Sequence, residues 1–149
     1  MSFSIRPSTP HDVTAMMQLI EELALFEKAP NEVVATADTL LTCGFGEHPL
    51  FVAWVAEYNN EIVGLALCYI RYSTWKGPVL YLEDLIVTES HRGQGIGKSL
   101  FETCIEYAKS KKYRKMVWQV LDRNTPAIDF YKGYGADLDP EWLNASLDF

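Results

Sequence analysis

The sequence predicts a single α/β (α+β) domain over residues 1–149, with a central mixed, mostly antiparallel sheet flanked by about four helices. Two long β-rich runs are joined by a tight asparagine turn, which is typical of antiparallel neighbours. A third β-rich run leads through a glycine-rich loop into an amphipathic helix and a further strand, which predicts a right-handed crossover between parallel strands. A chain of 149 residues fits one domain and is long enough for a hydrophobic core without disulfides or metal, so one domain is expected.

The first part of the chain predicts one strand and two helices. Residues 3–6 alternate weakly and predict a short strand. Thr9 followed by Pro10 is a helix-start signal, and apolar residues then recur at helical spacing until Pro30 ends the helix. Residues 36–41 predict a second, shorter helix.

The remaining elements follow from β-rich runs and from glycine and asparagine signals. Residues 51–57, 61–72 and 79–87 predict three strands, and residues 116–121 a further one. The helix after the glycine loop has one apolar stripe, formed by Ile96, Leu100, Phe101, Cys104, Ile105 and Ala108. Asn124 is the expected cap of a short helix through Tyr131, and a terminal strand or hairpin is expected after it.

Charge and cysteine content restrict the partners and the compartment. The net charge of −7 disfavours a nucleic acid or an anionic membrane and favours a small cationic molecule, although mild acidity also serves solubility alone. The three cysteines show no paired spacing, and no apolar run is long enough to span a bilayer. A cytoplasmic protein without disulfides is expected. The three histidines are scattered, so no metal site is expected either.

The strongest motif is the glycine-rich segment at residues 92–99. Glycines directly before a helix let backbone N–H groups converge on an anion, which indicates a phosphate-bearing ligand. A Walker-type loop needs a glycine where Arg92 stands, and a dinucleotide fingerprint needs one where Lys98 stands. Neither of these phosphate loops fits the spacing.

The pattern Arg-x-x-Gly-x-Gly at Arg92, Gly95 and Gly97 resembles the pyrophosphate loop of the GNAT family of N-acetyltransferases. The resemblance implies the GNAT fold and acetyl-CoA as cosubstrate. It also implies that the preceding strand pairs its backbone with the pantetheine arm, through Leu85, Ile86 and Val87. The residues implied to hold the pyrophosphate are Arg92, Gly93, Gln94, Gly95, Ile96, Gly97 and Lys98.

A second segment, Asn124-x-x-Ala127-x-x-Phe130-Tyr131, resembles the part of GNAT proteins that lines the other side of the cofactor. The resemblance implies cofactor contacts from Asn124, Ala127 and Tyr131. In that family a tyrosine at this position protonates the departing CoA thiolate, a task that suits a phenol. Taken without the loop, a tyrosine at a helix end is more often a packing residue.

Two adjacent carboxylates, Glu83 and Asp84, interrupt an otherwise apolar strand. Their burial would be costly unless they face a polar cleft, so they are candidate functional residues. Strand alternation is expected to send them to opposite faces of the sheet, which leaves at most one of them facing the substrate. Glu83 is the favoured base or ammonium-binding group, directly or through water. A structural role in pairing with an arginine or a backbone amide is open for each.

Within the family, residues 44–49, 72–77 and 81–84 resemble the diamine acetyltransferase group. Residues 26–28 and 73–77 are similar to its thialysine-acetylating members, whereas polyamine-acetylating members carry Asp-Pro where Ser73 and Thr74 stand here. The resemblance implies a homodimer and direct attack of a primary amine on acetyl-CoA. The residues implied on the acceptor side are Phe26, Glu27, Trp75, Glu83 and Asp84.

Two alternatives stay open at this level. One is an acetyltransferase for another amine, such as an amino acid, an aminoglycoside or a protein N-terminus, because the cofactor half of the site is shared among them. The other is a non-catalytic acetyl-CoA-binding module.

Overall fold

A computed structural model describes residues 2–149 and contains a five-stranded sheet and four α-helices. The strands are β1 (Ser4–Pro7), β2 (Val52–Tyr58), β3 (Glu61–Ser73), β4 (Gly77–Val87) and β5 (Met116–Trp118). The helices are α1 (Val13–Phe26), α2 (Ala37–Phe45), α3 (Ile96–Ser110) and α4 (Thr125–Lys132). The strand order is β1-β2-β3-β4-β5, with every pair antiparallel except β4 and β5. The predicted mixed, mostly antiparallel sheet is confirmed.

The chain divides into two compact units, one that ends at Trp118 and one from Gln119 to Phe149. The first unit contains the whole sheet and helices α1 to α3, and the second contains α4. The assignment of residues 1–149 to a single domain stays a prediction.

The sheet of the first unit is covered on both faces. On one face, α1 and α2 enclose a core of Met16, Leu19, Val55, Leu65 and Ile86, with further apolar residues around it. On the other face, α3 lies close to β3: a Cβ placed on Gly64 would come within 3.2 Å of the Ile96 side chain and 3.0 Å of that of Leu100. These two faces are called the α1 face and the α3 face below.

The hairpin between β2 and β3 forms as predicted. Asn59 and Asn60 adopt φ values of 50° and 64°, the left-handed conformation that asparagine tolerates better than most residues. β2 and β3 are therefore antiparallel neighbours.

Several boundaries differ from the expected ones. Residues 10–12 form a 3-10 turn before α1, where the Asp12 carboxylate accepts the Thr9 N–H at 2.7 Å. Helix α2 continues through Gly44 to Phe45, and the ring of Phe51 fills the space that a side chain at Gly44 would need.

The expected strand or hairpin after α4 is wrong, because residues 136–149 form no strand. That segment contains no valine, isoleucine or threonine and includes Pro140, a composition that disfavours a strand. β5 is also shorter than expected and ends at Trp118 instead of residue 121.

Candidate active site

The glycine loop opens directly into α3 and is shaped to bind an anion. Gly93 and Gly95 adopt φ values of 78° and 84°, which favour glycine strongly. A Cβ on either residue would meet no atom within 4 Å, so both positions border open space. The N-cap residue Gly95 has no side chain to accept from the first turn of α3, and the backbone N–H groups of that turn lie at the positive end of the helix. These features fit the pyrophosphate of the implied cosubstrate.

Gly97 has a different role from the other two glycines. It lies inside the first turn of α3 with an ordinary φ, and a Cβ there would contact Val87 Cγ2 at 3.6 Å. That distance is an ordinary van der Waals contact, so neither space nor backbone conformation requires a glycine at this position.

Arg92 links the glycine loop to β4 and α1. Its Nε donates to the Val87 carbonyl at 2.9 Å, and its guanidinium lies 5.4 Å from the centre of the Phe26 ring. One terminal nitrogen is 3.8 Å from the Glu22 carboxylate. Arg92 thus links the loop to the end of β4 and to the last turns of α1, and its contact with pyrophosphate stays a prediction.

The second half of β4 has an unpaired edge next to this loop. β5 pairs only with residues 80–82, so residues 84–87 pair with β3 alone among the strands described. The Thr88 N–H donates to Val63 O on β3, and alternation then directs the backbone groups of Leu85 and Val87 towards the open edge. The backbone of Ile86 faces β3 instead. Of the three residues expected to pair with pantetheine, Leu85 therefore presents its N–H and carbonyl at this edge. Val87 presents only its N–H, because its carbonyl already accepts from Arg92 Nε.

A β-bulge interrupts β4 at the two carboxylates. Leu82 lies opposite Cys68 and Asp84 lies opposite Leu67, which leaves Glu83 as an extra residue with no partner on β3. The register shift falls in the middle of the longest strand pair of the sheet.

The bulge places Glu83 and Asp84 on the same face of the sheet. Residues directly opposite each other in an antiparallel pair share a face, so Asp84 lies with Leu67 and Tyr81 lies with Tyr69. Leu67 and Tyr69 are two residues apart and share the α1 face. Glu83, two residues after Tyr81, belongs to that face too. The expectation of opposite faces is wrong, because the extra residue breaks the alternation between Glu83 and Asp84.

A third carboxylate joins this pair. Asp84 is partly buried, and its pKa is raised to about 6, first by burial and then by the negative charges of Glu83 and Glu27. Glu27 directly follows the last residue of α1, while Glu83 and Glu27 are both exposed. The three residues form one acidic cluster, defined here as Glu27, Glu83 and Asp84, that can bind an ammonium group.

An aromatic pair with a neighbouring arginine borders the acidic cluster. The rings of Tyr69 and Tyr81 stack with centroids 5.0 Å apart, and the Arg71 guanidinium carbon lies 5.7 Å from the centre of the Tyr81 ring. Burial raises the pKa of both phenols, and the charge of Glu83 raises it further. The sequence analysis did not identify Tyr69 or Arg71. The signal was present, because Leu67, Tyr69 and Arg71 alternate along β3 and so share one face.

Two residues expected on the acceptor side lie elsewhere. Trp75 is 90% exposed at the turn between β3 and β4. Six residues of β4 separate the start of that strand from Glu83, a distance of about 20 Å at the usual rise per residue. Phe26 packs on Arg92 next to the glycine loop. The structure therefore does not bring Trp75 to the acidic cluster of its own chain.

In the second unit, α4 begins as predicted. The Asn124 side-chain oxygen accepts the Ala127 N–H at 3.4 Å and caps the helix. Tyr131 lies near the end of α4, is 8% exposed, and meets the Phe130 ring edge-on with centroids 5.4 Å apart. Its role as a proton donor stays a prediction.

The remaining candidates from the sequence are the cysteines and a metal site, and neither contributes to the site within the described residues. Cys68 and Cys104 are buried between β3 and α3 with their sulfur atoms 3.6 Å apart, so both belong to the core. Within residues 2–149, no group of three or more histidine, cysteine or acidic side chains could hold a metal ion. None of the helices in this part of the chain is long and apolar enough to cross a membrane. A cavity of about 210 Å³ beside α1 contains neither the glycine loop nor the acidic cluster.

Comparison with known proteins identifies the family. The model of the Acetyltransferase (GNAT) family matches residues 14–136, most of the chain. This chain belongs to the GNAT acetyltransferase family. It is accordingly an N-acetyltransferase, as the loop motif predicted.

The relatives agree with the diamine acetyltransferase resemblance. The GNAT chain is 39% identical to the thialysine N-epsilon-acetyltransferase of Bos taurus, over 89% of this chain and 82% of the relative. It is 38% identical to that of Mus musculus, over 96% and 91%. A crystal structure of an aminoglycoside acetyltransferase from an uncultured soil metagenomic sample has the same fold, with a TM-score of 0.81 over 98% of this chain and 97% of that one, at 23% identity.

Proposed function

We propose that this GNAT enzyme transfers the acetyl group of acetyl-CoA to a primary amine of a small diamine-like or thialysine/lysine-like acceptor. The amine attacks directly while both substrates are bound. The observation that carries the proposal is the bulge at Glu83, which places two carboxylates on one face beside the open edge of β4. The thialysine-acetylating relatives support an acceptor of this kind.

The cofactor half of the site consists of the glycine loop and the free edge of β4. Acetyl-CoA supplies a thioester that is activated towards an amine. The first-turn N–H groups of α3 and the open backbone at Gly93 and Gly95 bind its pyrophosphate. The N–H and carbonyl of Leu85 and the N–H of Val87 pair with the pantetheine arm, as the edge of a sheet pairs with an added strand. The Leu85 N–H is then suited to polarise the thioester carbonyl.

The acidic cluster serves the acceptor. Its negative charge attracts the protonated amine, and the C-terminal end of α1 at Phe26 adds to the same field. An alkyl ammonium has a pKa near 10.4, so it must lose a proton before it attacks. Glu83 or Asp84 takes that proton, directly or through water, and its raised pKa makes Asp84 a stronger base than an ordinary carboxylate.

Tyr131 completes the proposal as the donor of a proton to the departing thiolate. Its support is the Asn124-x-x-Ala127-x-x-Phe130-Tyr131 spacing together with the family assignment. No covalent bond between the acetyl group and the enzyme is required, because the amine itself is the nucleophile.

Matched carboxylate variants test this assignment. Glu83→Gln and Asp84→Asn should each lower acceptor-dependent thiol release from acetyl-CoA by on the order of 10²-fold, since a general base typically contributes this much. Affinity for acetyl-CoA, measured by calorimetry, should stay unchanged. Glu106→Gln on the exposed surface of α3 is the control. Wild-type turnover in both site variants would refute the role of the acidic cluster.

The proposal also covers the oligomeric state and the cellular location of the protein. We propose a homodimer, supported by the exposed apolar side chains of Ile70, Tyr72 and Trp75 on the β3–β4 hairpin. Light scattering on the purified chain tests it, and a monomer at micromolar concentration would contradict it. A cytoplasmic location is proposed on the absence of paired cysteine spacing.

A further inference from the structure

Arg71 is a positive side chain on the acceptor side of the sheet. It lies two residues after Tyr69 on β3 and therefore shares the α1 face with Tyr69, Tyr81 and the two carboxylates of the bulge. Its guanidinium carbon is 5.7 Å from the centre of the Tyr81 ring, which holds the side chain towards the acidic cluster.

The guanidinium is available to a ligand. Arg71 is exposed, and within residues 2–149 no carboxylate lies within the 4.0 Å that would define an ion pair with it. An arginine presents five N–H donors in a planar fork that matches a carboxylate in two parallel hydrogen bonds. A ring contact on one face of the guanidinium leaves the donors along its edge free.

The distance between Arg71 and the acidic cluster matches the length of a short alkyl chain in the acceptor. Tyr81, beneath the guanidinium, precedes Glu83 by two residues, which corresponds to about 7 Å along β4. The extended side chain of a lysine-like molecule spans a comparable distance between its terminal amine and its α-carboxylate. The site therefore offers negative groups at one end and a positive group at the other.

We propose that Arg71 binds the carboxylate of the acceptor, so that the substrate class is a diamino carboxylic acid and not a polyamine. This inference rests on the proposed function, because it takes the acidic cluster as the amine-binding end. A polyamine carries only cations, so the chain that places its amine at Glu83 places a second ammonium near Arg71. One residue then both favours the amino acid and disfavours the polyamine.

The test compares two acceptors that differ only in the carboxylate. L-lysine and 1,5-diaminopentane have the same amine-bearing chain, and acceptor-dependent thiol release gives kcat and KM for each. In Arg71→Gln the KM for L-lysine should rise by about tenfold or more, as expected for the loss of a charge-assisted hydrogen bond. The kcat for L-lysine should hold, and the KM for 1,5-diaminopentane should stay the same or fall.

Two further variants control for charge and for geometry. Lys109→Gln removes the same charge from the exposed end of α3 and should leave the ratio of kcat/KM for the two acceptors unchanged. Arg71→Lys keeps the charge but loses the fork, so its KM for L-lysine should lie between those of the wild type and Arg71→Gln.

The outcomes separate this inference from the proposed function. If the wild type acetylates both acceptors and Arg71→Gln keeps their kcat/KM ratio, the role of Arg71 is wrong while the proposed function stands. If Arg71→Gln raises the KM for acetyl-CoA instead, the guanidinium serves the cofactor and the inference is also wrong. If the wild type acetylates neither of these two nor thialysine, putrescine, spermidine or spermine, the proposed function fails and the inference fails with it.

Discussion

Asp84→Asn should stabilise the folded protein at neutral pH while removing activity. Burial and two neighbouring carboxylates raise the pKa of Asp84 from 3.8 to about 6. A carboxyl group with a raised folded-state pKa binds its proton more tightly in the folded state than in the unfolded one. Its ionisation therefore destabilises the fold, with no penalty below pH 3.8 and the full penalty above about pH 6. The difference of about two pKa units corresponds to roughly 3 kcal/mol.

Urea unfolding of the wild type and Asp84→Asn at pH 4 and pH 7.5 measures this penalty. The asparagine does not titrate, and at pH 4 the wild type already carries a small part of the penalty. The stability of the variant relative to the wild type should therefore rise by roughly 2.5 kcal/mol between the two pH values. Subtracting the two proteins cancels the titration of the other groups they share. Asp148→Asn in the exposed C-terminal segment is the matched substitution and should show no such change. A relative stability of Asp84→Asn that stays constant across this range would refute the burial argument.

Three further predictions address the rest of the site. Because the charge of Glu27 raises the pKa of Asp84, the fall of kcat/KM with decreasing pH should become steeper below about pH 6 in the wild type and only at lower pH in Glu27→Gln. Identical profiles would show that Glu27 does not act on the base. Gly95→Asp should abolish the binding of acetyl-CoA measured by calorimetry. Gly135→Asp, at a position with a similar φ of 77° that also borders open space, should retain it. Equal affinities of the two variants would show that the glycine loop is not the acetyl-CoA site. Tyr131→Phe keeps the ring and should lower turnover by on the order of 10²-fold without changing acetyl-CoA affinity, and wild-type turnover would leave Tyr131 as a packing residue.

Local chemistry explains why much of the fold could be predicted from the sequence. The two asparagines of the β2–β3 turn and the glycines before α3 require particular backbone conformations that few residues adopt. The spacing of apolar residues also predicted the buried stripe of α3. Five of its six predicted members are buried: Ile96, Leu100, Phe101, Cys104 and Ala108. These signals act within a few residues, so pairing across the sheet does not alter them.

Features that depend on pairing between strands could not be predicted in the same way. Residues 79–87 look like a regular strand, and only the register against β3 shows that Glu83 is an extra residue. The prediction for the faces of Glu83 and Asp84 therefore failed. Arg71 was missed for the same reason, since its place beside Tyr81 comes from the alignment of two strands and not from any local motif.

The central claim is that the chain acetylates a small primary amine with acetyl-CoA. The most direct test is thiol release by the wild-type protein with thialysine, L-lysine, putrescine, spermidine and spermine, each compared with a reaction without acceptor. The account predicts release that depends on the acceptor, yields the mono-acetylated amine, and rises from pH 7 towards pH 9 as more of the amine is neutral. Release no faster than hydrolysis with all five acceptors would contradict it.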